Sequence, residues 1–99
     1  MVVKDGVVIA IEAIEGTDAM LERIVPYIEP KIRGGVLVKM LKSGQDKTSD
    51  LPTIGVNTVE LVHKADLAGI ALQANNSFIV EKKATIALAD RLKIFIKGI

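Results

Sequence analysis

Residues 34–41 read GGVLVKML, and this stretch decides the fold. The pair Gly34-Gly35 predicts a turn, and Val36 to Leu41 is apolar throughout except for Lys39, as in a strand buried inside a sheet. A polar loop follows from Lys42 to about Ile54, and the next helix begins near Asn57. A buried strand that leads through a loop into a helix is typical of α/β folds.

The alternation of strands and helices continues towards the N-terminus. Val2-Val3 and a run from Val7 to about Ile14 are predicted as a hairpin, because Asp5-Gly6 between them readily takes the positive φ angles of a tight turn. A helix follows, with Thr17 or Asp18 as its N-cap residue. The apolar side of this helix is predicted to comprise Met20, Leu21, Ile24 and Val25.

The alternation also continues towards the C-terminus. The helix near Asn57 is predicted to start with a capping box completed by Glu60. Its inner side would comprise Val59, Val62 and Ala65. Leu67–Leu72 and Ser77–Val80 are predicted as a second hairpin, and a helix over about residues 84–92 and a strand at Ile94–Ile96 close the chain. The sequence therefore predicts one small α/β domain with a mixed β-sheet and about three helices.

The composition excludes several classes of function. Hydrophobic residues make up 49% of the 99 residues and aromatic residues only 3%, so valine, isoleucine, leucine and alanine must form the core. The absence of cysteine excludes disulfides and thiolate chemistry, and a single histidine excludes a multi-histidine metal site. A net charge of +1 and one tyrosine argue against a nucleic-acid partner. No apolar run reaches the ~20 residues of a membrane span, so we expect a cytoplasmic domain.

A first polar stretch lies where the second strand runs into a helix. It contains Glu12, Glu15, Gly16, Thr17 and Asp18. Free N–H groups and the helix dipole at such a junction favour anions, including phosphate. The alternative is that Thr17 and Asp18 only cap the helix while both glutamates point to solvent, and residue preferences alone favour this alternative.

A second polar stretch follows the strand that ends near Leu41. It comprises Lys39, Lys42, Gln45, Asp46, Lys47 and Asp50. Loops beyond the carboxyl ends of strands commonly carry the chemistry of α/β domains. Asp46 and Asp50, four residues apart, could hold Mg²⁺, which needs only one or two carboxylates from the protein, and the lysines could neutralise a diphosphate. The alternative is a solvated loop, which spacing alone does not exclude.

Three segments carry a resemblance to a known family. They are residues 7–20 (VVIAIEAIEGTDAM), residues 50–55 (DLPTIG) and residues 67–71 (LAGIA). Together they resemble, in order and spacing, the C-terminal domain of the UDP-2,3-diacylglucosamine pyrophosphatase family. The resemblance runs through all 99 residues. It implies that residues 1–99 are a C-terminal catalytic and lipid-binding domain, with the family's N-terminal nucleotide-binding domain absent from this chain.

The resemblance also implies an activity. Members of the family use Mg²⁺ to hydrolyse UDP-2,3-diacylglucosamine to UMP and 2,3-diacylglucosamine 1-phosphate, a step of lipid A biosynthesis. The implied partners are this lipid substrate and the N-terminal domain of the same enzyme. Peripheral contact with the inner membrane and self-association are further expectations of the resemblance. The isolated domain is expected to be inactive.

The resemblance assigns roles to individual residues. The catalytic acidic residue of the family directly precedes Leu-Pro, a position that Asp50 occupies here, and Asp46 would share a metal ion with it. The implied substrate contacts are Glu15, Gly16, Thr17, Asp18, Lys42, Gln45, Lys47 and Thr53. Thr48 stands where the family often has arginine, and Lys47 could replace that charge only as a point charge without the arginine fork.

Two further interpretations stay open at the level of sequence. His63 lies on the predicted helix beside Lys64, where a surface histidine is more common than a general base. The many aliphatic residues could line a groove for acyl chains, although such residues more often form a core. The competing function is a non-enzymatic module for ligand binding or self-association.

Overall fold

A computed structural model describes residues 1–27, 32–40 and 51–99. Within these residues the chain forms seven strands and three α-helices. In chain order they are β1 (Val2–Lys4), β2 (Val7–Ala10), α1 (Thr17–Ile24), β3 (Val36–Lys39), β4 (Thr53–Ile54), α2 (Val56–Lys64), β5 (Gly69–Leu72), β6 (Phe78–Ile79), α3 (Lys82–Arg91) and β7 (Phe95–Gly98). A 3₁₀ turn at Val25–Tyr27 extends α1. The predicted fold class, a mixed sheet with three helices, is confirmed.

Five strands form the main sheet in the order β2-β1-β3-β5-β7. β1 is antiparallel to both β2 and β3, whereas β3, β5 and β7 are parallel to one another. The β1–β2 hairpin turns at Asp5 and Gly6 with φ angles of 52° and 77°, as the Asp-Gly pair predicts. Because β2 and β3 both run antiparallel to β1, the strands β2, β3, β5 and β7 all point in the same direction.

All three helices cover one face of the main sheet. The connections β2–α1–β3, β3–α2–β5 and β5–α3–β7 progress in one direction across the sheet, and right-handed crossovers then place every helix on the same side. α1 accordingly contacts α2, and α2 contacts α3. Val2, Leu37 and Ile70 are cross-strand neighbours on this side and are completely buried. The predicted helix sides are confirmed by the burial of Met20, Leu21, Ile24, Val59, Val62 and Ala65. The remaining predicted residue, Val25, follows the end of α1 and packs partly buried against the core.

None of the three described helices covers the other face of the main sheet. Val3 pairs with Val8 on one side and with Val36 on the other, and all three side chains alternate with the buried set. At the start of β5, Gly69 lies under the ring of its cross-strand neighbour Phe95. The fold therefore has two layers, one of strands and one of helices, within the described residues.

One predicted strand boundary and one predicted strand pairing are wrong. The second strand ends at Ala10 and not near Ile14, because Ile11 and Ile14 are solvent-exposed and lead towards α1 without a partner strand. The second predicted hairpin does not form. Since β5 already has β3 and β7 on its two sides, it has no free edge for β6.

β6 pairs instead with β4, which the sequence analysis placed at the end of a loop. The two strands run parallel and form a separate small sheet, in which Thr53 and Ile54 lie beside Phe78 and Ile79. The amide groups of Phe78 and Val80 donate hydrogen bonds to the carbonyl groups of Pro52 and Ile54, at 2.8 and 2.9 Å. This small sheet fixes the segment that begins directly after Leu51.

The parallel strands give the main sheet two distinct edges. We call the edge at the C-terminal ends of β2, β3, β5 and β7 the carboxyl edge, and the edge at their N-terminal ends the amino edge. α1, α2 and α3 all begin at the carboxyl edge and all end at the amino edge. No helix among the described residues has the length and hydropathy needed to cross a membrane.

Candidate functional site

A cleft of about 690 Å³ opens at the carboxyl edge. It lies between the start of α1, the end of β3, the small sheet and the starts of α2 and α3. The residues that line it are Glu12, Glu15, Gly16, Thr17, Asp18, Lys39, Thr53, Ile54, Gly55, Val56, Asn57, Thr58, Val80 and Glu81. The residue before each of the three helices is among them, so the positive ends of three helix dipoles converge on one space.

The start of α1 has no side-chain cap. Gly16 occupies the N-cap position with a φ of 87°, so the predicted caps Thr17 and Asp18 are wrong. Thr17 instead lies inside the helix, where it is buried and donates its hydroxyl to Oε2 of Glu12 at 2.8 Å. The first N–H groups of α1 therefore have no intrahelical acceptor and, among the described residues, no side-chain cap.

The start of α2 also differs from the predicted one. Gly55 occupies the N-cap position in an extended conformation and, having no side chain, offers no cap to the helix N–H groups. The predicted box of Asn57 and Glu60 is wrong. Thr58 forms the hydrogen bond that Glu60 was predicted to form in the capping box, since its Oγ1 accepts the Gly55 N–H at 3.3 Å.

Asp18 joins the two helix starts. Its Oδ2 accepts a hydrogen bond from Nδ2 of Asn57 at 2.8 Å, and its Oδ1 accepts one from the hydroxyl of Thr58 at 3.2 Å. The first turn of α1 is thus tied to the first turn of α2 by one carboxylate. Asn57 and Thr58 both donate to this tertiary contact, and Thr58 in addition accepts the N–H of Gly55.

Glu81 precedes α3 in an unusual conformation. Its φ and ψ angles of 47° and 59° lie in the left-handed region, which residues with a Cβ seldom occupy. Thr85 fixes the approach to this residue, because its buried hydroxyl donates to the carbonyl of Val80 at 2.7 Å. The hydrogen bond from Thr85 of α3 stabilises this backbone conformation, which places the exposed Glu81 among the lining residues of the cleft.

Lys39 connects the main sheet to the small sheet. It is the last residue of β3, and its Nζ donates a hydrogen bond to the carbonyl oxygen of Thr53 at 2.9 Å. Pro52 and Ile54 use their carbonyl groups to bind β6, so the Thr53 carbonyl points the other way, towards β3. The half-buried Lys39 side chain donates to this carbonyl the hydrogen bond that a neighbouring strand would otherwise donate.

The charges around the cleft are unequal. Of its described lining residues, Glu12, Glu15, Asp18 and Glu81 are acidic and Lys39 is basic. Glu15 is partly neutralised by Arg23, whose Nε lies 3.8 Å from Oε2. No group of three or more acidic or histidine side chains suitable for a metal ion occurs within the described part of the chain. Mg²⁺ requires only one or two carboxylates, so the acidic lining remains compatible with this ion.

The structure brings part of the predicted site together. Glu15, Gly16, Thr17, Asp18 and Thr53 all line the cleft, although they come from two separate segments. Lys42, Gln45, Asp46, Lys47 and Asp50 lie outside the described residues, so their predicted roles stay predictions. His63 is exposed on the last turn of α2, at the amino edge, in agreement with a surface histidine.

The cleft also contains three residues that were not predicted from the sequence, namely Asn57, Thr58 and Glu81. Asn57 and Thr58 carry a signal that could have been used, because a short polar pair after Gly55 stands at the same kind of strand-to-helix junction as Thr17-Asp18. Glu81 carries no such signal. Its place depends on the left-handed backbone, which favours asparagine or glycine over glutamate.

Comparison with known proteins gives two matches. Residues 1–97 match the family model described as the LpxI C-terminal domain. The UDP-2,3-diacylglucosamine pyrophosphatase LpxI of Caulobacter vibrioides is 46% identical over 104 residues, which cover 99% of this chain and 37% of the relative. The chain therefore spans little more than a third of the length of that relative.

Proposed function

The chain belongs to the family of LpxI C-terminal domains, and we propose that it serves as the C-terminal part of a UDP-2,3-diacylglucosamine pyrophosphatase. The proposed reaction is the Mg²⁺-dependent hydrolysis of UDP-2,3-diacylglucosamine to UMP and 2,3-diacylglucosamine 1-phosphate, within lipid A biosynthesis. The proposed partner is an N-terminal nucleotide-binding domain of the same enzyme. The proposed place of action is the cytoplasm, with peripheral contact to the inner membrane.

One observation carries the proposal: the starts of α1 and α2 face the same cleft, and neither has a side-chain cap. Their free N–H groups and dipoles favour a negatively charged ligand. A diphosphate is such a ligand, and its two phosphates could use two helix starts at once. Asp18 supports this use because it fixes the spacing between them.

The acidic lining supports a requirement for a divalent cation. A diphosphate that enters the cleft meets four carboxylates and one ammonium group among the described residues, and this balance opposes its binding. In the proposal Asp46 and Asp50 hold Mg²⁺. When bound, this ion would offset the charge that develops on the phosphoryl oxygens.

In the proposal, residues of this chain orient the attacking water and bind the phosphoryl groups. Asp50 orients a water molecule for attack on phosphorus, so that a P–O bond to the water oxygen forms as the bridging P–O bond of the phosphoanhydride breaks. The protons of the water pass to solvent, and the two phosphate monoesters leave as UMP and the sugar 1-phosphate. Lys42, Gln45 and Lys47 bind phosphoryl oxygens, together with the backbone at Gly16. Positioning and electrostatic stabilisation of this kind supply most of the catalysis in phosphoryl transfer.

Substitution of Asp50 tests the proposal. In the full-length protein that carries this chain, we expect Asp50→Ala to lower kcat for UMP release by about 100-fold or more, because the attacking water is no longer oriented, while Asp46 keeps a carboxylate for Mg²⁺. Thermal unfolding should change little, as for most substitutions in surface loops. Asp90→Ala, on an exposed residue of α3 far from the cleft, is the matched control. An Asp50→Ala enzyme with the wild-type rate would contradict the role of Asp50, and a wild-type protein without Mg²⁺-dependent UMP release would favour a binding module.

A further inference from the structure

Lys39 combines three properties that no other described residue of the cleft shares. It is the basic residue of the described lining, it lies at the C-terminal end of a central strand, and its ammonium group is held in place by the carbonyl of Thr53. A lysine side chain on a surface is normally mobile, and ordering it costs free energy. Here the tie to the small sheet orders the ammonium group before any ligand binds.

The ammonium group retains donors for a ligand. It has three N–H groups, of which the Thr53 carbonyl uses one. No carboxylate of the described residues lies within ion-pair distance of Nζ. Within the described residues, Lys39 therefore presents a cation that is fixed in position and has no carboxylate partner, and it lines the same cleft as the starts of α1 and α2.

We propose that Lys39 binds a phosphoryl oxygen of the ligand and positions the diphosphate against the starts of α1 and α2. This inference rests on the proposed function and assigns to it a residue on β3. The same ammonium group holds Thr53, so occupancy of the cleft and the position of the small sheet are linked through one side chain. The ligand class is a diphosphate or a phosphate monoester.

The first arm of the test measures binding without turnover. Inorganic diphosphate is titrated into full-length wild-type, Lys39→Met, Lys39→Arg and Lys64→Met proteins, and thermal unfolding is recorded for each. Lys39→Met should weaken diphosphate binding by about 10- to 100-fold, because it removes a charge-assisted hydrogen bond and keeps the aliphatic stem. Lys39→Arg keeps the charge and should stay within about fivefold of wild type, despite the different shape of its head group. Lys64→Met, at the far end of α2, should bind like wild type.

The second arm measures kcat and KM for UMP release by the same four proteins. Lys39→Met should lower kcat/KM by a factor similar to its loss of diphosphate affinity. If Lys39→Met stays folded and binds diphosphate like wild type, or if Lys39→Arg is as impaired as Lys39→Met, then Lys39 is only a structural tie and the proposal is overturned. Diphosphate binding that depends on Lys39, in a protein without UMP release, would keep this proposal and refute the proposed reaction.

Discussion

The two edges of the main sheet use polar residues in opposite ways. At the amino edge, polar groups satisfy one another: Arg33 forms an ion pair with Asp66, and the carbonyl of Asp66 accepts the N–H of Gly34 at 2.8 Å. At the carboxyl edge, the helix starts at Gly16 and Gly55 lack side-chain caps, and Lys39 binds a neutral carbonyl.

The difference shows which edge is built for stability and which for binding. The Arg33–Asp66 ion pair is about half exposed, so it contributes on the order of 0–1 kcal/mol to the free energy of unfolding. Its two charges already neutralise each other without a ligand. The N–H groups at the starts of α1 and α2 receive no cap from the side chain of the preceding residue, so acceptor oxygens of a ligand can bind them in place of water. We therefore expect substitutions at the amino edge to change stability alone, and substitutions at the carboxyl edge to change binding as well.

The largest expected change in stability is at the amino edge. In Gly69→Ala the new Cβ would overlap the ring of Phe95, so the ring must move, and we expect the free energy of unfolding to fall by about 1–3 kcal/mol. Chemical denaturation measures this loss. The kcat/KM for UMP release of the folded variant should match wild type.

A second substitution checks the cause of that loss. Phe95→Ala should cost less stability in the Gly69→Ala background than in wild type, because the clash disappears with the ring. Equal costs in both backgrounds would show that the two residues do not interact, and a loss of activity in folded Gly69→Ala would break the comparison between the edges.

A smaller change in stability is expected at the carboxyl edge. Asp18→Ala removes the acceptor for Asn57 and Thr58, and because this contact is partly exposed we expect a loss of about 1 kcal/mol in the free energy of unfolding. The KM for the substrate should rise by about tenfold, since the spacing of the two helix starts is no longer fixed.

Asp18→Asn separates positioning from charge. The amide keeps one acceptor oxygen of the same reach, so this variant should lie between wild type and Asp18→Ala in both measurements. If Asp18→Ala loses stability but keeps its KM, the carboxylate only joins two helices, and the cleft does not depend on it.

The features that could be predicted from the sequence are those that depend on local residue patterns and periodicity. Asp5-Gly6 predicted the hairpin turn, and apolar spacing predicted the buried sides of α1 and α2, including Met20 and Val62. The pairing of β4 with β6 was not predictable in this way. Two-residue strands such as Thr53–Ile54 have no periodicity, and their pairing depends on β5 having no free edge.

The cleft was predicted only in part for a similar reason. The resemblance implied Glu15 to Asp18 as substrate contacts, and their position between a strand and a helix is compatible with anion binding. Asp18 and Asn57 are 39 residues apart in the chain, so their contact depends on the packing of α1 against α2. The predicted helix caps are wrong because Gly16 and Gly55 occupy the N-cap positions. Side-chain preferences do not identify an N-cap residue that has no side chain.

Amide hydrogen exchange with and without substrate tests the central claim most directly. The full-length Asp50→Ala protein is used so that the substrate is not consumed. We predict slower exchange in residues 15–19 and 53–58 when UDP-2,3-diacylglucosamine and Mg²⁺ are present, because these N–H groups gain acceptors or lose access to water. Residues 33–35 and 66–69, at the amino edge, should exchange at unchanged rates. Protection at the amino edge, with none at residues 15–19 and 53–58, would contradict the assignment of the carboxyl edge as the binding site.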